Sequence, residues 1–265
     1  MKNINRFFKI YVKLFTSNLM QQMEYKADFI LRGTFELTIV LSNYLFFLVI
    51  YQNVETIGGW TKEQSIILVL ISALLDCVIT LLFVGGLYQL PSLINEGKLD
   101  HIILKPINNR LLISLSNSTV SQLPNFIIEI ILLIFCIIHY KIPITFKGII
   151  YSVIVFVNAV IILYSIFFSI MCISFWSIKI DVGMKIFFQL YNIGNKPISV
   201  YPLIVQKIFT YIIPLAVAFN FPVLAITNSI SLKKVVLSFI IMVIFYQISN
   251  LIFKFGLRKY VSASS

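Results

Sequence analysis

The stretch "SIILVLISALLDCVITLLFVGGLYQLPSLINEGKLDHIILKPINN" (residues 65–109) joins a long apolar run to the densest mixed-charge segment of the chain. Its first part, residues 65–90, exceeds the roughly 20 apolar residues that a helix needs to cross the hydrocarbon layer of a bilayer. The run does not alternate with a period of two, so it favours a transmembrane helix over a barrel strand. This stretch therefore predicts an all-α membrane protein.

The composition of the whole chain agrees with a membrane protein. Of its 265 residues, 59% are hydrophobic and 12% are charged, and the mean hydropathy of +0.96 far exceeds what one soluble core needs. The first long apolar run begins near Phe29 after a basic and polar lead, so no cleaved signal peptide is expected. Cys77, Cys136 and Cys172 lie inside apolar runs at no metal-binding spacing, which predicts buried thiols.

Hydropathy predicts one membrane domain, residues 1–265, with six transmembrane helices. Residues 1–27 form an amphipathic helix whose apolar stripe opposes Arg6, Lys9 and Lys13, as expected of a helix that lies in the membrane interface. The six spans are predicted at residues 28–51, 65–90, 122–139, 148–176, 182–200 and 235–253. Pro91 is expected to end the second span, and residues 91–109 then form a segment between spans two and three.

The region before the last span has two interpretations. In the first, residues 182–200 form a weak, polar fifth span, followed by a re-entrant helical pair through "YIIPLAVAFNFPVLAI" (residues 211–226). In the second, residues 181–202 lie on the surface and residues 203–226 cross the membrane. Hydropathy favours the second, because Lys207 is the only charge in that window.

The basic residues predict the orientation of the chain. Most of the 21 lysines and arginines fall on one side of a six-span topology, among them Lys98, Lys105 and Arg110 around residues 91–109. The positive-inside rule places both termini and this segment in the cytoplasm. Because topology explains most of the net charge of +11, membrane lipid is an expected partner and nucleic acid is not.

The segment 91–109 combines apolar and charged residues around a helix breaker, Gly97. A short amphipathic helix, a turn and a second short element are predicted. Such an object can dock into a groove on a soluble partner, where apolar anchors give affinity and charges give register. It can equally lie on the lipid headgroups, and the residues alone leave both readings open.

Several motifs together resemble a known family. They are "MEYKADFILRG" (23–33), "IGGWT" (57–61), "LINEGKLDHIILKPIN" (93–108), "YP" (201–202), "IIPLAVAFNFP" (212–222) and "FGLRKYVSAS" (255–264). In this order, over nearly the whole chain, they resemble the permease subunits of type-2 ABC exporters. The branch most similar has an EG-x-LD-x-x-L-x-KP cytoplasmic segment and a GLRRY-like tail, in which Lys259 of this chain replaces a common arginine.

The resemblance implies a six-helix half-transporter whose first cytoplasmic loop is a coupling helix seated in a separate ATP-binding subunit. The residues that it would place at that contact are Leu93, Ile94, Glu96, Gly97, Lys98, Leu99 and Asp100. In this family re-entrant helices follow the fifth span on the outer side, which shifts the preference to residues 182–200 as span five. Two ATP-binding subunits and a second permease, identical or related, would complete the complex in the cell membrane.

The chain lacks the chemistry of an ATPase. "GGWTKEQS" and "GNKPIS" have neither the glycine spacing nor the Gly-Lys-Ser/Thr end of a phosphate-binding loop. ATP and magnesium are therefore expected on the partner subunit, with no cofactor and no catalysis in this chain. A membrane enzyme is disfavoured as well, because the sequence has no H-E-x-x-H motif, intramembrane Ser/His pair or dense acidic cluster.

Asp76 and Glu129 lie near the middles of the second and third predicted spans. Ionisable groups at such depth cost a few kcal/mol each and commonly serve transport, so both are candidates for a substrate pathway that favours a cationic amphiphile. Protonation, or hydrogen bonds to neighbours such as Thr80 or Asn125, would explain them without function. The rival hypothesis is an ion-coupled secondary transporter that uses the same two carboxylates, although no half-to-half correspondence supports it.

Overall fold

The computed structural model describes residues 2–23, 26–106, 108–177 and 181–260. Helices account for 81% of the structure, and the described residues contain no strand, only an isolated antiparallel bridge between Ile57 and Trp60. A helix satisfies its backbone N–H and C=O groups within one segment, which hydrocarbon demands. The predicted all-α class is confirmed.

The helices follow one another with short connections. They are α1 (Lys2–Met23), α2 (Lys26–Ile50), α3 (Lys62–Asn95), α4 (Asp100–Ile103), α5 (Asn109–Leu115), α6 (Leu123–His139), α7 (Phe146–Met171), α8 (Asp181–Gly194), α9 (Leu203–Ile212), α10 (Leu215–Ile226) and α11 (Leu232–Lys259). A π-helical turn, Thr80–Val84, interrupts α3. Short 3-10 turns precede α6 at Val120–Gln122 and extend α7 at Cys172–Phe175.

Among the described residues, four helical segments are long and apolar enough to cross a membrane: Lys62–Asn95, Val120–His139, Phe146–Phe175 and Leu232–Lys259. They coincide with the predicted spans 65–90, 122–139, 148–176 and 235–253. The predicted span 28–51 falls on α2, whose apolar part is the shorter stretch Leu37–Ile50. Within that predicted span, the side chains of residues 28–33 and of Glu36 lie outside the described ones.

The region between α7 and α11 contains a short helix, α8, and a bent helical pair, α9 and α10. Helix α8 ends at Gly194, short of the predicted residue 200. It ends there because the Asn220 side chain of α10 donates to the Gly194 and Lys196 carbonyls (3.2 and 3.1 Å) and accepts from the Ile198 N–H (2.9 Å). These bonds satisfy backbone groups that a continuing helix would have used. Helices α9 and α10 follow, bent by 94° relative to each other, and they make a fifth candidate span only if counted together.

Pro91 does not end the helix of the second predicted span, because α3 continues through Pro91 to Asn95. A proline removes one helical hydrogen bond, yet packing holds the turn of α3 that precedes this position. Leu87 and Leu90 are fully buried, and the Tyr88 ring packs edge-on against Phe167 with centroids 5.6 Å apart. A helix of this length spans roughly 50 Å, longer than the ~30 Å hydrocarbon core, so one end must extend beyond it.

After α3 ends, the chain turns back, and the backbone of residues 113–119 packs closely against α3. The carbonyls of Ile113 and Ser114 lie directly against Gly86, where a larger residue would clash. One turn earlier, the Thr119 N–H donates to the Leu81 carbonyl in the π-helical turn (3.0 Å). Small residues permit such close packing inside membrane bundles. As a result α5 lies beside the end of α3.

The core is centred on α7, which packs against α10 and α11. Phe168 of α7 and Phe219 of α10 are among its largest fully buried side chains. The three cysteines are free and buried, as predicted. The starts of α3 and α7 and the turn before α11 meet at one end of this bundle, where Gln64 bonds to Thr227 (3.5 Å) and Thr145 to Asn228 (2.5 Å).

Candidate functional site

The predicted coupling segment, residues 91–109, begins with the last turn of α3. Gly97 then adopts a left-handed conformation with φ of +70°, which reverses the chain. The Gly97 N–H donates to the Ile94 carbonyl (3.3 Å) and the Leu99 N–H to the Leu93 carbonyl (3.0 Å). This is a glycine-capped helix end, and it is immediately followed by the single turn of α4.

The seven predicted contact residues divide into an inner and an outer group. Leu99 is fully buried, and Leu93 and Ile94 pack partly buried against the protein's own core. Glu96 and Lys98 are exposed and form an ion pair at 2.5 Å, which contributes little to stability at a surface. The apolar members therefore fix the segment to the bundle, and Glu96 and Lys98 face outward.

The seven predicted contact residues leave out the apolar part of the outer surface. Leu104 is 81% exposed, and Ile103, His101 and Lys105 are exposed beside it. Adjacent exposed apolar residues with a polar rim are found at protein and membrane contact sites. The signal in the sequence was the run "HIILK" (residues 101–105), in which Ile103 ends the short helix α4 and Leu104 follows it.

The end of α11 closes on the predicted coupling segment. The Tyr260 ring packs edge-on against Phe175 with centroids 6.4 Å apart, and Phe175 also lies against Gly256. Burial raises the pKa of the Tyr260 hydroxyl, and the neighbouring carboxylate of Asp100 raises it further. Residues 261–264 of the tail motif lie outside the described residues.

Helix α1 attaches just beyond the same segment. The Gln22 side chain donates to the Ser118 carbonyl and accepts from the Ser121 N–H, both at 2.9 Å. Asn18 donates to the Ser116 carbonyl at 3.3 Å. Helix α1, the predicted coupling segment and the end of α11 are therefore gathered at one end of the bundle.

The structure brings Asp76 and Glu129 together on one cavity of about 300 Å³, between α2, α3, α6 and α8. The other residues that line it are Ile39, Val40, Asn43, Phe47, Val69, Ser72, Ala73, Phe188, Tyr191, Asn192, Asn195 and Lys196. Most of the lining surface is apolar, although more than half of the fourteen lining residues carry amides, hydroxyls or charges. Such a composition is typical of small-molecule sites.

The two carboxylates differ in environment. Asp76 is exposed to the cavity and accepts a hydrogen bond from the Tyr191 hydroxyl at 3.3 Å. Glu129 is 3% exposed. Asn125, suggested by the sequence as a neighbour, donates to the Gln122 side chain at 2.9 Å. Lys196 lies at the edge of the cavity with its ammonium 5.8 Å from the Phe46 ring centroid.

Sequence reasoning also missed the wall that α8 and the turn after it contribute. Phe188, Tyr191, Asn192 and Asn195 are spaced by three and four residues, the period of one helix face. That period was a usable signal, although it did not say which cavity the face would line. Carboxylates and aromatic rings in one low-dielectric cavity can accept an amphipathic cation, with Lys196 offsetting part of their charge.

Metal chemistry finds no support in the part of the chain that the structure describes. Within those ranges no group of three or more His, Cys, Asp or Glu side chains could hold a metal ion. His101 and His139 lie in different elements, at the predicted coupling segment and at the end of α6.

Comparison with known proteins adds one match. A family model described as "ABC-2 family transporter protein" matches residues 37–264, which is most of the chain. No curated protein and no solved structure matches it significantly.

Proposed function

The chain belongs to the ABC-2 transporter family, and from this premise we propose that it is the permease subunit of an ATP-driven exporter. It forms the path of the substrate through the cell membrane. A separate ATP-binding subunit, present in two copies, supplies the movement and holds ATP and magnesium. A second permease, identical or related, faces this one across the path.

The surface of the predicted coupling segment is the observation that carries the proposal. Glu96, Lys98, Ile103 and Leu104 project from a turn whose inner residues are anchored in the core. Because the inner residues of the segment are anchored in the core, a partner subunit that displaces its outer surface would move the segment as a unit. Apolar anchors bordered by charges also suit a groove on a soluble subunit.

Both termini are proposed to be cytoplasmic, with a six-span topology. The positive-inside rule favours this orientation, and the gathering of α1, the predicted coupling segment and Tyr260 at one end of the bundle supports it. In this topology α2 and α8 are the first and fifth spans. The bent pair of α9 and α10 then forms the re-entrant element before α11.

The substrate pathway is proposed to include Asp76 and Glu129. They share one cavity with the rings of Phe47, Phe188 and Tyr191, which supports an amphipathic cation as the substrate class. Because α3 and α6 both line the cavity, movement of these two helices during transport would change its width. The same cavity keeps ion-coupled secondary transport as the second candidate, because two carboxylates at mid-span could carry a coupling ion.

The test is purification of the chain with the proteins encoded beside its gene, followed by ATPase assays. The exporter proposal expects an ATP-binding protein to co-purify and ATP hydrolysis to appear only when both chains are present. Wild-type protein that purifies alone, and that accumulates a cation in response to an ion gradient without ATP, would establish the secondary transporter instead.

A further inference from the structure

Arg110, at the start of α5, was counted from the sequence among the basic residues on the cytoplasmic side, and in the structure it is buried. Its side chain is 3% exposed. The Nε atom donates to the Tyr164 hydroxyl at 3.0 Å, one terminal nitrogen donates to the Ser249 hydroxyl at 2.7 Å, and the other donates to the Tyr246 carbonyl at 3.3 Å. The guanidinium thus binds α7 and α11 at once.

Aromatic rings enclose the same charge. The Arg110 guanidinium carbon lies 4.3 Å from the ring centroid of Tyr246, 4.6 Å from that of Phe168 and 5.0 Å from that of Tyr164. In the described part of the chain, no carboxylate lies within ion-pair distance of it. Among the described residues, its partners are therefore neutral acceptors and π faces.

The hydrogen bonds continue beyond the first contacts. Ser114, one turn along α5, bonds to the Tyr164 hydroxyl at 2.8 Å, and its hydroxyl also donates to the Arg110 carbonyl at 2.8 Å. Ser249 donates in turn to the Tyr246 carbonyl at 2.8 Å. Two residues of α5, Arg110 and Ser114, thus bond to Tyr164 of α7, and Arg110 also bonds to α11.

This geometry restricts relative movement. A buried guanidinium that loses an acceptor leaves a charged donor unpaired, which costs more than an ordinary hydrogen bond is worth. Its planar fork also fits its acceptors in one orientation, unlike the rotatable ammonium of lysine. Displacement of α5 is therefore expected to move α7 and α11 with it.

We propose that Arg110 is a positioning residue for transport, through which displacement of the predicted coupling segment reaches α7 and α11. The segment ends at Asn109, next to Arg110, and Asn108 caps α5 through a 3.3 Å bond to the Leu111 N–H. A displacement of the segment is thus passed directly to Arg110, the second residue of α5. The inference rests on the proposed exporter function, since the displacement comes from the ATP-binding subunit.

The experiment compares hydrogen exchange in the complex with its ATP-binding subunit in lipid nanodiscs, with and without ATP and vanadate. In the wild-type complex, ATP should change exchange in residues 93–106 and in residues 246–259. In Arg110→Met the change should persist at 93–106 but shrink by at least about five-fold at 246–259, with ATP hydrolysis retained. Arg110→Lys should recover part of the transmitted change, which a purely structural role would not predict.

Arg258→Met is the matched control, because Arg258 is exposed on α11 and lies over the ring of Phe255. It should behave as wild type. If Arg110→Met fails to assemble, Tyr164→Phe and Ser249→Ala carry the test, since each removes one acceptor hydroxyl and retains most of the packing. A full transmitted change in these variants would overturn the proposal.

The two proposals fail in different ways. If the wild-type chain binds no ATP-binding subunit, the exporter function is contradicted. The proposed role of Arg110 is then contradicted as well, before any Arg110 variant is compared. A working ATPase complex whose ATP-dependent change stays within residues 93–106, even in the wild type, would overturn only the role of Arg110.

Discussion

The Tyr191 hydroxyl donates a hydrogen bond to Asp76 across 3.3 Å, which joins α8 to α3 at the wall of the cavity. The Tyr191 ring also packs edge-on against Phe219 of α10, with centroids 4.7 Å apart. One side chain thus connects a carboxylate on the proposed pathway to the core. The position of Asp76 is therefore held by tertiary contacts and not by its own helix alone.

Neutralising the cavity carboxylates should weaken cation export. Asp76→Asn and Glu129→Gln each remove a negative charge with almost no change of volume. Uptake of tetraphenylphosphonium into inverted vesicles, driven by ATP, should fall about ten-fold for each, the effect of roughly 1.4 kcal/mol. Glu55→Gln, in the exposed loop before α3, is the matched control and should transport normally. Unchanged transport in both cavity variants would remove the carboxylates from the pathway.

Reversing the charge at the predicted coupling segment should release the partner subunit. Glu96→Lys breaks the pair with Lys98 and places two cations on the outward surface. Co-purification of the ATP-binding subunit should be lost while the thermal stability of the permease stays near that of the wild type. Glu55→Lys makes the same change in the loop at the other end of α3 and should leave the complex intact. Equal binding by both variants would place the partner contact elsewhere.

The left-handed conformation of Gly97 predicts a graded response to substitution. Gly97→Ala introduces a side chain at φ of +70° and should cost about 1–2 kcal/mol. Gly97→Asn should cost less, because asparagine tolerates this conformation. Thermal unfolding in nanodiscs measures the difference. If alanine were no worse than asparagine, the turn would have another conformation in the membrane.

The burial of Tyr260 near Asp100 predicts a stability change at alkaline pH. Burial first, and the Asp100 carboxylate second, raise the pKa of Tyr260 above its ordinary value of 10.0. Because the folded state holds the proton more tightly, this contribution is complete below the unfolded pKa of about 10 and is lost as the pH rises through the folded pKa. Unfolding titrations above pH 10 should show the loss in the wild type and a smaller one in Tyr260→Phe. Identical alkaline curves would mean that Tyr260 is solvated.

Much of the secondary structure could be predicted because hydrophobicity in a bilayer is a local property. The apolar runs at residues 65–90, 122–139, 148–176 and 235–253 coincide with helices long enough to cross. Gly97 was recognisable as a helix breaker because its backbone preference is intrinsic. Pro91 misled because its intrinsic preference was overruled by the packing of Leu87, Tyr88 and Leu90. The end of α8 at Gly194 depended on Asn220, more than twenty residues away, which no local pattern reveals.

By itself the sequence determined the class of the molecule and nominated its unusual residues. A bilayer requires helices, so apolar runs specify them, and carboxylates within such runs stand out because their burial is costly. Only the tertiary structure decided which of those residues meet. It placed Asp76 and Glu129 on one cavity, Tyr260 beside Asp100, and Arg110 inside a ring of aromatic side chains. The physical reason is that hydropathy along one helix fixes its depth in the membrane, whereas side-chain partners are set by how helices rotate and approach one another.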